Sequence, residues 1–150
     1  MVSIVGSWEL AGWYEQHPDG SRKALFGAHP RGRLTYTAEG VVHAFMAADT
    51  RPHPKSGNIA EADQARLFQT MIAYSGTYRV DGGCIWHFID MSWNQLWTKS
   101  EFIRYFELLG NQLCISTIPA SELAESTDTV YIAEWARRGA QSLTRFSAST

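Results

Sequence analysis

Charge is scarce in this chain. Of its 150 residues 19% are charged, against roughly 25% in an ordinary soluble domain. The 13 Lys+Arg nearly cancel the 15 Asp+Glu, leaving a net charge of -2. That balance offers no footprint for a phosphate backbone, so no nucleic acid partner is expected. Cysteine is scarce too. Cys84 and Cys114 both sit in apolar, strand-like runs, and two buried thiols are expected rather than a disulfide. Nowhere does the chain approach about 18 uninterrupted apolar residues, which excludes a membrane-spanning helix. The first six residues, Met1 to Gly6, show no basic stretch leading into an apolar run. No secretory signal is therefore expected, and a cytoplasmic location is the default. Signatures of chemistry are missing as well. There is no His-x-His, His-Glu-x-x-His or Cys-x-x-Cys, so no metal site is expected. There is no Gly-x-Ser-x-Gly elbow and no Gly-rich phosphate loop.

Rings are abundant. Aromatic residues reach 13%, with 6 Trp among them. A chain this long is one domain and buries roughly 68–70% of the surface its unfolded state exposes. So many rings among so few charges must be hidden, either in a core or around a ligand cavity.

Short apolar or alternating runs, punctuated by Gly, Pro, Asp and Asn, mark an all-β chain. Strands are predicted over 4–14, 23–27, 33–37, 41–47, 74–80, 84–90, 98–108, 113–118 and 128–137. Turn residues stand between them, as at His17-Pro18-Asp19-Gly20 and Asp81-Gly82-Gly83. One helix interrupts the pattern, predicted from Ile59 to about Ala73. Asn58 and Glu61 resemble a capping arrangement, and Ala65, Phe68, Met71 and Ile72 share a face. Eight or nine strands with short connections avoid open edges most simply by closing into an up-and-down antiparallel β-barrel; a two-sheet sandwich is the alternative. Residues 1–138 are expected to form the barrel and 139–150 a polar tail. An eight-stranded barrel has room for side chains or for one small ligand.

Gly6-Ser7-Trp8 on the first strand resembles the G-x-W signature of lipocalins and their calycin relatives. The resemblance implies that Trp8 plugs the closed end of the barrel, with Trp135 among the structural rings there. It also implies that a basic residue on the last strand, best matched by Arg137, packs across the Trp8 ring. A small lipocalin-like family of bacteria and fungi is matched further by Gly32-Arg33-Leu34-Thr35-Tyr36, Arg51-Pro52, Tyr74-Ser75-Gly76-Thr77-Tyr78, His87 and Arg104. The likeness spans about residues 4 to 138. It implies a calycin barrel that binds a small, mostly apolar molecule, and it does not imply one reaction. The Gly-Ser-Trp-Glu-Leu-Ala-Gly run departs from the G-x-W-x-G-x-G of nitrobindin-type haem barrels, so haem is not expected, nor any other cofactor.

Five histidines divide by position. His17, His29 and His53 precede Pro and read as extended surface loop residues. His43 and His87 lie within strands, where alternation groups His43 with Val41 and Phe45, and His87 with Ile85 and Ile89. Each is either a core histidine bonded to a carbonyl or Tyr, or a neutral imidazole able to exchange protons near pH 7. Arg104 alternates with Phe102 and Phe106. A guanidinium on such a stripe needs a partner, either Glu101 or Glu107, or the carboxylate, enolate or carbonyl oxygen of a ligand. Arg33 and Arg51 raise the same question. Tyr36, Tyr74 and Tyr78 either cap the core or donate to a ligand oxygen. Trp86, Trp93 and Trp97 suit a cavity mouth or a sealed barrel end equally well.

These residues suggest a cofactor-independent isomerase, cyclase or dehydratase (a lyase) of secondary metabolism, acting on a small apolar or aromatic metabolite with a carbonyl or carboxylate. His87 would be the acid–base, with His43 its substitute. Arg104 and Tyr36 or Tyr74 would polarise the oxygen. Phe102, Phe106, Trp86, Trp97 and Arg33 complete the expected substrate wall. A non-catalytic carrier using the same cavity is the rival reading. Apolar residues on both faces of Cys84 to Ile89 call for a cover, either the helix or a second copy in a homodimer.

Overall fold

The computed structural model describes residues 3–123 and 126–139. Among them nine strands run in chain order: β1 (Gly6–Gln16), β2 (Arg22–Ala24), β3 (Arg31–Tyr36), β4 (Val41–Ala47), β5 (Met71–Asp81), β6 (Cys84–Ser92), β7 (Glu101–Leu109), β8 (Gln112–Ser116) and β9 (Val130–Arg137). Each strand from β3 onward pairs antiparallel with the next, and β9 returns to pair with β1 from Trp8↔Arg137 to Gln16↔Val130. Eight strands thus close an up-and-down barrel. The short strand β2 folds back on the end of β1 as an extra hairpin arm. Apart from Gly139, the predicted tail lies outside the described residues.

The helix is shorter than its apolar pattern predicts. Helix α1 spans Glu61–Gln69, starts at Ala60 without a side-chain cap, and ends at Thr70. Met71, Ile72 and Ala73 pair instead with Ala47, Met46 and Phe45 of β4. Sheet pairing satisfies their backbone and sends Ile72 inward, which overrides the local helical spacing. Arg51 ties the helix end down by donating to the Leu67 carbonyl and the Thr70 hydroxyl, each at 3.1 Å. No helix is long and apolar enough to cross a membrane among the described residues.

One end of the barrel is sealed by Trp8, which is fully buried and donates Nε1–H to the Ile4 carbonyl at 2.9 Å. The Arg137 guanidinium lies 4.2 Å from the Trp8 ring centroid and donates to the carbonyls of Val5 and Ser3. Gly6 explains its own place in the G-x-W motif. Its φ is +134°, and a Cβ there would stand 2.8 Å from the guanidinium. Above this plug, Leu34, Tyr36, Val42, Ile85 and Leu113 fill the interior.

Gly76 does comparable work inside the Tyr-Ser-Gly-x-Tyr motif. The β5–β6 register slips between Ser75 and Gly76, a bulge that presses the strands together, and a Cβ on Gly76 would collide with the Phe88 carbonyl. A second bulge, between Leu10 and Gly12 on β1, changes the parity of that strand. Trp8 and Leu10 point inward before it, and Trp13 after it.

Candidate functional site

The interior is not filled to the open end. A cavity of ≈ 270 Å³ lies above the core, with Trp13, Tyr74, His87, Trp97, Phe102, Arg104, Thr117, Tyr131 and Trp135 among its walls. Inward positions on β5, β6 and β7 deliver Tyr74, His87, Phe102 and Arg104 to one side, because alternate residues of a strand share a face.

His87 is 2% exposed and caught between two phenols. Tyr36 Oη lies 2.8 Å from Nε2, and Tyr74 Oη lies 2.8 Å from Nδ1. Burial, with the Arg104 charge adding to it, holds the imidazole pKa down to about 4, so the ring is neutral at pH 7. A neutral ring has one N–H, so one phenol must donate to it and the other must accept. Tyr36 is fully buried, and His87 is its hydrogen-bond partner among the described residues. Were Tyr36 to accept, its own O–H would be stranded in the core at a cost of about 1–3 kcal/mol. Tyr36 therefore donates to Nε2, Nδ1–H donates to Tyr74, and the Tyr74 hydroxyl proton is released toward the cavity. Burial pushes both phenols up, well above the ordinary value, so both stay protonated.

Arg104 is half-buried, and burial lowers its pKa. Its Nη1 donates to the Ile103 carbonyl at 2.9 Å, and its guanidinium carbon lies 5.1 Å from the Phe102 ring centroid. Neither expected carboxylate pairs with it. Glu101 and Glu107 sit on the opposite, exposed face of β7, and no carboxylate among the described residues forms an ion pair with Arg104. Its remaining donors are available to a ligand.

Rings build the mouth. Trp97 meets Phe102 edge-on at 4.9 Å, Trp93 meets Trp97 at 4.8 Å, and Phe68 of α1 lies 5.6 Å from Trp93. Trp93 also donates to the Phe68 carbonyl, pinning the helix beside the entrance.

The structure brings together His87, Arg104, Tyr74, Phe102 and Trp97 of the residues singled out in the sequence. Others go elsewhere. His43 points outward with Phe45 while Val42, Ala44 and Met46 face in, and its Nδ1 bonds the Ser75 hydroxyl at 2.8 Å. Trp86 is on the outer face of β6 under the Arg79 guanidinium. Arg33 is outside as well, in a groove of ≈ 290 Å³ with Glu9 and Phe45. None of the described residues lining that groove is a buried titratable group, so the interior cavity is the candidate site. Tyr36 and Phe106 do face inward, but they belong to the core beneath the cavity.

Trp13 and Trp135 are cavity residues that sequence reasoning misses. The β1 bulge hides Trp13. The family resemblance assigns Trp135 to the sealed end instead. On β9, Val130 and Ile132 are buried on the face opposite Ala133 and Trp135, so apolarity on both faces erases the alternation. Trp135 is 4% exposed, and its Nε1 has no hydrogen-bond partner among the described residues. No cluster of three His, Cys, Asp or Glu able to hold a metal occurs among the described residues. Cys84 and Cys114 are free and half-buried.

Two solved structures align over most of this chain. A lipocalin-like protein from Bacteroides uniformis does so with a TM-score of 0.49 at 12% identity, covering 90% of this chain and 98% of its own. An uncharacterized protein from Bacteroides eggerthii aligns at 0.44 and 16% identity, covering 88% and 98%. No curated protein matches. The profile of the Lipocalin-like domain family matches residues 5–138, which takes in the plug, the closed barrel and every wall of the cavity, and the chain belongs to that family.

Proposed function

We propose that this barrel takes up a small, mostly apolar carbonyl or carboxylate compound and converts it, without a cofactor, by isomerisation, cyclisation or dehydration. The observation that carries the reading is the meeting of Tyr74 and Arg104 in one cavity. A phenol proton released by the His87 tautomer stands there beside a guanidinium with no carboxylate of its own among the described residues. Such a pair favours a substrate oxygen on which negative charge grows, as in an enolate, and a site screened from water strengthens that interaction. In these reactions a proton leaves the carbon skeleton and is returned to it or to a leaving hydroxyl, so no external oxidant is required. Tyr74 and Arg104 would touch the reacting oxygen, and His87 would act through Tyr74 as a positioning residue.

The test is a panel of unsaturated and cyclic apolar keto acids, screened first for binding and then for deuterium uptake or product formation in D₂O. One bound compound should be converted, and Tyr74→Phe and Arg104→Met should each slow it by roughly a hundredfold or more. Unchanged rates in both variants would remove those roles. The carrier reading has one observation in its favour: both nitrogens of His87 are already taken by phenols. Binding across the panel with no conversion would decide for it.

A further inference from the structure

We infer that the cavity selects an anion with a second, separate acceptor oxygen: a carboxylate for Arg104 and Tyr74, and a carbonyl or ether oxygen for Trp135. This rests on the small-molecule reading above and names the ligand class more narrowly. Three donors lack acceptors among the described residues, and they sit on different strands. Arg104 on β7 has spare N–H groups, Tyr74 on β5 has a hydroxyl proton, and Trp135 on β9 has an indole N–H. No Asp, Glu, Asn or Gln side chain among the described residues lines the cavity to meet them. A buried donor without an acceptor costs about 1–3 kcal/mol, so three of them around one void describe a ligand by its complement. Trp135 carries the second oxygen. Its indole is nine-tenths buried or more and lines the void, whereas the fully buried indole of Trp8 has its acceptor in Ile4. A void of ≈ 270 Å³ holds the space of about nine waters at roughly 30 Å³ each. A single substituted ring suits that size, and the apolar walls of Phe102 and Trp97 suit its faces.

Three probes of one size separate the features: para-acetylbenzoate, with both acceptors; para-isopropylbenzoate, with the carboxylate alone; and para-methylacetophenone, with the ketone alone. Calorimetry should rank them in that order, with roughly tenfold between the first two, the worth of about one hydrogen bond. Trp135→Phe should bring the first two to near equality while changing para-isopropylbenzoate by less than about twofold. Should that variant fail to fold, the indole N–H resonances of the unaltered protein supply the readout. Trp135 should shift with para-acetylbenzoate and not with para-isopropylbenzoate, and Trp8 should shift with neither. Equal affinity for the neutral ketone and the acids would overturn the anion while leaving a binding cavity. Equal affinity for the two acids, or a Trp135 resonance unmoved by either, would overturn the second oxygen. If none of the three binds, the small-molecule reading fails along with this one.

Discussion

Removing the titration of His87 by His87→Gln should flatten the acid sensitivity of the fold. The folded ring titrates at about 4, against 6.5 when free. Between those two values the unfolded chain takes up a proton at His87 and the folded chain does not. The unfolded state then binds more protons, so stability falls as pH is lowered through that window and levels off below it. The gap is some two to three pH units, each worth about 1.4 kcal/mol, so the loss is on the order of 3 kcal/mol. Burial is the larger cause, and Arg104 adds to it; Tyr36 and Tyr74, the other groups facing the ring, stay neutral. The substituted amide keeps a donor and an acceptor for the two phenols but cannot titrate. Urea unfolding of both proteins at steps from neutral pH to about pH 4 gives the difference directly, since carboxylates common to both cancel. The difference, wild type minus variant, should decline by on the order of 3 kcal/mol. A flat difference would refute the reasoning, as would an imidazole NMR titration of His87 centred near the free value.

Arg104→Met should raise the melting temperature while weakening para-acetylbenzoate binding by tenfold or more, because it replaces a desolvated, unpaired charge with an apolar chain of similar length. A lower melting temperature would show that the guanidinium is held by contacts stronger than its single carbonyl. Gly76→Ala should cost about 3 kcal/mol or more, since the new methyl meets the Phe88 backbone, which cannot swing aside. Chemical denaturation measures it, and a loss under about 1 kcal/mol would mean that β5 and β6 separate easily. His43→Ala, on the exposed outer face, should change stability by less than about 0.5 kcal/mol and leave ligand affinity untouched. Lost binding by calorimetry would return His43 to the site.

Legibility follows the strength of the local signal. The turns at Asp19-Gly20 and Gly82-Gly83 and the strand over 41–47 are readable because Gly and Asp have few other uses between apolar runs. The G-x-W motif and Arg137 are readable as a pair because the ring and the cation explain each other. Strand faces are harder. Val41, Val42, Ala44, Phe45 and Met46 make both faces of β4 apolar, and a one-residue error in parity carries His43 from solvent into the cavity. Trp86 is misplaced for the same reason on β6. The bulges on β1 and at the β5–β6 pairing shift parity within an element, and nothing in the residue pattern announces the shift.

Composition and periodicity determined on their own that the chain is one ring-rich, charge-poor, mostly β domain with a single short helix, since these are sums and repeats over neighbouring residues. They also marked His87 and Arg104 as out of place among apolar side chains. Tertiary structure alone decided what those two residues face. His87 found two phenols, Tyr36 and Tyr74, from strands distant in sequence, and these settle its tautomer and charge. Arg104 found no carboxylate, and Trp135 no acceptor, among the described residues. Hydrogen-bond partners in a closed barrel are set by register across strands, and register is a property of the closed sheet rather than of any one segment.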